Sequence, residues 1–82
     1  MIIGAQIRAA RAAVGWSAQE LAQQSGVSLR TILRFEQLFG VPPSRSSTLM
    51  DVQAALEKAG IEFIGSPDDH PGIRIRTGSD ST

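Results

Sequence analysis

The chain contains no cysteine and no tyrosine, and a single histidine. Without cysteine there are no disulfides and no thiolate metal sites, a composition that fits a reducing compartment. His70 stands with Asp68 and Asp69 in a turn segment, a poor tetrahedral ligand set, so no metal is expected. The parts of an enzyme are missing as well. There is no cysteine nucleophile, no serine set beside the histidine in a supporting motif, and no glycine-rich phosphate loop. Neither enzymatic activity nor a cofactor is expected. Long apolar runs are absent too. Nothing approaches the roughly 18 apolar residues of a membrane span, and MIIGAQIRAA at the N-terminus carries no cleavable-signal pattern. A cytoplasmic location with no membrane association is the expectation. No repeat or low-complexity block appears, and 82 residues allow one domain with a small core.

Net charge is zero, which argues against a protein that coats DNA without sequence preference. The distribution is lopsided, however. Residues 1–50 hold five arginines against Glu20 and Glu36, while residues 51–82 hold Lys58, Arg74 and Arg76 against six carboxylates. Such a dipole turns its basic half toward a polyanion. Seven of the eight basic residues are arginine, whose rigid fork pairs bidentately with phosphate or guanine.

Periodicity divides the chain into four helices and a hairpin. Ile7, Ala10, Arg11 and Val14 fall on one helical face, which predicts a first helix from about Ala5 to Val14, closed by Gly15. Trp16 reads as a core wedge. Ser17 caps a second helix, with Glu20 completing a capping box. Ser25-Gly26-Val27 is a tight turn. Ser28 caps a third helix from Leu29 to about Leu38, with Ile32 and Phe35 behind and Leu29, Arg30, Leu33 and Arg34 outside. Residues 40–47 form a loop. A fourth helix starts near Ser47 or Thr48 and ends at Gly60, with Asp51 in its first turn and Lys58 in its last. The period then changes to two. Residues 61–64 and 72–76 predict a small hairpin around a turn at 65–71, and 77–82 read as a disordered tail. A lone two-stranded hairpin is marginal in water, so it must pack on the fourth helix, pair across a dimer, or both.

Arg11 before Gly15, Ser17, Glu20-Leu21-Ala22, Ser25-Gly26-Val27-Ser28, Ile32 and Glu36 together resemble the helix-turn-helix domain of the phage repressor and Cro family, the XRE family, over about Ile7 to Leu56. Residues 54–64, followed by Gly72-Ile73-Arg74-Ile75-Arg76, resemble the ending of short bacterial proteins of this kind. The resemblance implies a mainly α, lambda-repressor-like bundle of four to five helices in one domain over residues 1–76, with a C-terminal hairpin at 61–76. It implies base contacts by Leu29, Arg30, Thr31 and Arg34, a phosphate contact by Ser17, and a structural ion pair of Arg11 with Glu36. Many members place glutamine directly after the serine. Here that position is Ala18, and Gln19 comes one later as a phosphate candidate. Gln37-Leu38-Phe39-Gly40 replaces the usual tight turn, so Phe39 is expected to fill the core or an interface.

Independently of the resemblance, Arg8 and Arg45 are phosphate candidates by charge and exposure. Ile61, Phe63, Ile73 and Ile75 form apolar strand faces suited to a dimer interface. The expected function is a double-stranded DNA-binding transcriptional regulator, a repressor that binds an inverted repeat as a homodimer. Its control would come from its own concentration or from a regulatory protein partner. The alternative is a protein-interaction module, an antiactivator or antitoxin, that reuses the fold.

Overall fold

The computed structural model describes residues 2–76; the tail expected at 77–82 lies outside the described residues. The chain is mainly helical. Its elements are α1 (Gly4–Ala13), α2 (Ala18–Ser25), α3 (Leu29–Gln37), α4 (Ser46–Lys58), β1 (Ile61–Ser66) and β2 (Asp69–Ile75). The four helices form a bundle and the two strands an antiparallel hairpin.

Local chemistry sets most of the boundaries. Ile3 precedes α1 and has no side-chain acceptor for the first-turn N–H groups; Gln6 supplies only the reciprocal bond of a capping box, its Oε1 accepting from the Ile3 backbone N–H at 2.9 Å. The Gly4 N–H donates to the Gly40 carbonyl at 2.9 Å. Gly15 then follows the end of α1 at φ +75°, the left-handed conformation the sequence assigns to it. Ser17 Oγ accepts from the Glu20 N–H at 3.1 Å. The Glu20 carboxylate does not close the expected capping box; it accepts instead from Gln24 Nε2 at 3.3 Å, one turn on. Gly26 ends α2 at φ +74° and lets the chain reverse into α3.

Helix α4 starts earlier than expected. The Arg45 carbonyl accepts from the Thr48 and Leu49 N–H groups at 3.1 and 3.2 Å, so Arg45 is the N-cap and Asp51 falls beyond the first turn. Helix α3 ends at Gln37, because Leu38 is already extended.

The core is built from every helix and from β1. Ile7, Leu21, Ile32, Phe35, Val52 and Leu56 are the large side chains it closes over completely, and Val27 and Ile61 join them. Each such side chain contributes roughly 1.5–3 kcal/mol of burial free energy. Trp16 is half-buried against this cluster, as a wedge at the end of α1. Phe39 is not in the core. It is 78% exposed, because Gly4 holds the backbone of residues 38–40 close against α1 while the ring points outward.

The hairpin is longer and its turn tighter than the proline content suggests. Ile61 pairs with Ile75, Phe63 with Ile73, and Ile64 with Gly72; the register then shifts by one before Ser66 meets Asp69. A bulge absorbs the shift, with Gly65 at φ +78° and His70 at φ +53°. Pro71 lies in that bulge, where the ladder needs no N–H from it. A Cβ on Gly65 would strike the His70 carbonyl oxygen. Strand β1 packs on α4, as expected, and β2 packs on α1, which the sequence did not indicate. Ile61 is thereby spent on the chain's own core at 2% exposed, covered without any second copy. Phe63 and Ile73 are half-buried on the same cluster, and Ile75 remains exposed.

Candidate nucleic-acid interface

Helix α3 is held rigidly from behind. Ser28 Oγ accepts from the Thr31 N–H at 3.3 Å and donates to Thr31 Oγ1 at 2.9 Å, which fixes the first turn. Ile32, Phe35 and Glu36 are buried. The Glu36 carboxylate would be costly to bury alone. Arg11 answers it with a two-pronged pair, Nε to Oε2 at 2.7 Å and Nη2 to Oε1 at 2.9 Å. Its remaining nitrogen, Nη1, donates to the Trp16 carbonyl at 2.9 Å. One guanidinium therefore ties the end of α1, the following loop and the last turn of α3 together. Hydrogen bonding to Glu36 raises the Arg11 pKa above its ordinary value, burial opposes that, and the charge of Glu36 adds to it. The stability that this raised value contributes is fully present below the ordinary arginine pKa and is lost only as pH rises through the folded-state value.

The opposite face of α3 is open. Leu29, Arg30, Leu33, Arg34 and Gln37 line one shallow depression on the surface. Arg30 and Arg34 lie one turn apart and form no ion pair among the described residues. Of the side chains expected to reach bases, the structure brings Leu29, Arg30 and Arg34 together. Thr31 differs: it is half-buried and its hydroxyl already accepts a bond from Ser28. Leu33 and Gln37 complete the surface. Leu33 three residues after Arg30, and Gln37 three after Arg34 and seven after Arg30, are the spacings that find them.

The other charged and polar candidates sit on the surface. Ser17 and Gln19 are exposed at the start of α2, and Ser17 Oγ, used there as an acceptor, keeps its own proton to donate. The free N–H groups and positive dipole end of a helix suit an anion at that place. Arg8 is exposed on α1, and Arg45 at the start of α4. At the far end, Arg74 lies 3.6 Å from Glu62 across the hairpin, an exposed pair of little energetic weight. His70 Nδ1 lies 2.8 Å from Asp69 Oδ1, both exposed. No group of three or more histidine, aspartate or glutamate side chains suited to a metal forms among the described residues. No helix among the described residues is long and apolar enough to cross a membrane.

Residues 7–45 match the helix-turn-helix family model, from within α1 to the N-cap of α4. The chain thus contains a helix-turn-helix domain, a non-catalytic DNA-binding module. No curated protein matches the chain.

Proposed function

We propose that this helix-turn-helix chain is a sequence-specific regulator of transcription of the repressor and Cro type, a cytoplasmic protein that represses by occupying an inverted-repeat operator as a homodimer. Residues 1–76 act in it as one domain. The observation that carries the reading is the two-sidedness of α3. Its back is locked by Ile32, Phe35 and the Arg11–Glu36 pair, while its front displays Arg30 and Arg34 without acidic partners among the described residues. A helix of that kind enters the major groove, where arginine forks pair with guanine O6 and N7. Each good bidentate pair supplies roughly 1–3 kcal/mol of discrimination. Leu29 lies at the N-terminal end of the same face. Ser17, Gln19, Arg8 and Arg45 hold phosphates and so set the register of α3 on the duplex. Thr31, tied to Ser28, contributes by fixing the first turn more than by reaching a base. One helix in one groove binds weakly; two copies with recognition helices about 34–36 Å apart read both half-sites.

Selection of bound duplexes from a random pool tests this directly. Recovery of an inverted repeat, bound with an affinity that falls steeply as salt rises, is the expected result. An unselective pool would remove the reading.

A second reading rests on a separate observation. Phe39 and Met50 are 78% and 64% exposed, with Val41 also open to solvent. Exposed apolar side chains of this size suit a protein partner, as in an antiactivator or antitoxin. Weak, salt-insensitive interaction with every duplex in the pool would favour it.

A further inference from the structure

We propose that Leu33 is a specificity-determining residue that reads the 5-methyl group of a thymine next to a guanine held by Arg30 or Arg34. The proposal rests on the DNA-binding reading of α3 and adds to it the chemistry of the base step. Leu33 is 46% exposed and lines one surface with Leu29, Arg30, Arg34 and Gln37. It follows Arg30 by three residues and precedes Arg34 by one, so along the helix axis it lies between the two arginines, on the Leu29 side of the face. It stays exposed while the core beneath is well filled.

A leucine offers no donor and no acceptor, so it is blind to the hydrogen-bonding edge of every base. In the major groove the C5-methyl of thymine is the apolar group a base pair presents. The flanking arginines commit the partner to a polyanion and place guanines nearby. The helix rises about 1.5 Å per residue, so Arg30 and Arg34 stand about 6 Å apart along it. That is close to two base steps of about 3.4 Å. Leu33 between them therefore meets a base adjacent to the guanine one arginine holds. Leu29, 38% exposed, adds apolar area at the N-terminal side.

The probe is the duplex enriched from the random pool, with each thymine of a half-site replaced in turn by deoxyuridine. That exchange deletes one methyl and nothing else, and it needs no protein variant. At one thymine beside a guanine, affinity is expected to fall about fourfold, the fold-change that matches about 0.8 kcal/mol for one buried methyl. In Leu33→Ala, whose melting temperature should match the parent because the side chain is exposed, that difference should vanish. Neutral replacement at every thymine would overturn the proposal while leaving DNA binding by α3 intact. So would a deoxyuridine penalty that persists undiminished in Leu33→Ala. If no duplex is enriched at all, the DNA-binding reading falls and this proposal falls with it.

Discussion

The Gln6 side-chain amide donates to the Gly72 carbonyl over 2.8 Å, joining α1 to β2 across 66 positions of sequence. The same nitrogen reaches the Ile64 carbonyl at 3.3 Å, and the amide oxygen caps α1 at the Ile3 N–H. One buried glutamine thus starts the first helix and fastens the hairpin to it. Each buried group left without a partner costs roughly 1–3 kcal/mol. Gln6→Ala should therefore lower stability by about 2–4 kcal/mol, with the largest loss of amide-exchange protection in the hairpin. Gln6→Glu keeps the acceptor for Ile3 but turns a carboxylate toward two carbonyl oxygens. It should loosen the hairpin at least as much while sparing the start of α1. Equal protection of the hairpin in all three proteins would show that Gln6 does not hold it.

The Arg11–Glu36 pair should behave as a coupled unit. Removing Arg11 leaves the Glu36 carboxylate, 8% exposed, with no counter-charge. Removing Glu36 leaves Arg11, 21% exposed, able to hydrate and still bonded to Trp16. Arg11→Ala should therefore be the more damaging, by about 2–4 kcal/mol, below the roughly 3–5 kcal/mol of a fully buried pair because one partner is partly wet. In a domain of this size that lowers Tm by about 10–25 °C. The double variant should be less destabilised than the sum of the singles. Strict additivity in thermal melts would mean that the two side chains contribute independently.

Gly4 is demanded by space. A Cβ there would fall on the carbonyl oxygens of Leu38 and Phe35, both backbone atoms that cannot swing away. Gly4→Ala must push α1 off the C-terminal end of α3, and overpacking of this kind costs roughly 1–3 kcal/mol. The expected Tm loss is about 5–20 °C. Because the displaced element is the proposed recognition helix, DNA affinity measured well below Tm should also drop. Full affinity in a destabilised Gly4→Ala protein would show that the position of α3 survives the change.

The helix-turn-helix was legible because its signals are local. Ser17 and Ser28 cap their helices, Gly15 and Gly26 take positive φ, and Arg11 on an apolar face demanded a partner that Glu36 supplies. What the sequence hides at Gln6 and Phe39 depends on contacts far along the chain. Gln6 looks like any helical glutamine until β2 arrives over it. Phe39 has the composition of a core residue, yet Gly4 and Gly40 fix its backbone where the ring meets solvent. Pro67 and Pro71 read as a broad loop, whereas the bulge at Gly65 and His70 lets Pro71 stay within the strand. The start of α4 was misplaced for a smaller reason. Ser47 and Thr48 offer hydroxyl caps, whereas the helix starts from the backbone of Arg45 with no side-chain cap.

The two arginines of α3 should separate specificity from folding. Arg30→Ala and Arg34→Ala remove exposed side chains, so their melting temperatures should stay within about a degree or two of the parent. Each should lose roughly 1–3 kcal/mol of preference for the selected site over a scrambled one. Arg45→Ala or Arg8→Ala, if these hold phosphates, should weaken both duplexes alike and flatten the salt dependence. Titration of each variant against both duplexes at fixed salt distinguishes the two patterns. Unchanged discrimination in both α3 variants would remove them from the bases.

Self-association should depend on the apolar surface the fold leaves open. Ile61 is used inside the chain, and Phe63 and Ile73 are half-covered by α1 and α4. Ile75 is 55% exposed at the end of β2, and Phe39 lines a groove together with Ile3, Ala5, Ala9, Pro71 and Ile73. A homodimer through the hairpin must therefore bury Ile75 with the outer parts of Phe63 and Ile73, while a homodimer through the groove must bury Phe39. Ile75→Glu and Phe39→Ser test the two separately, since both side chains are exposed and neither change should unfold the chain. Sedimentation at tens of micromolar should show the parent as a dimer and Ile75→Glu as a monomer, with binding to a full inverted repeat reduced toward that of a half-site. Dissociation by Phe39→Ser alone would move the interface from the strands to the groove beside α1. A parent that sediments as a monomer would end the dimer proposal, and each half-site would then be read by a chain acting alone.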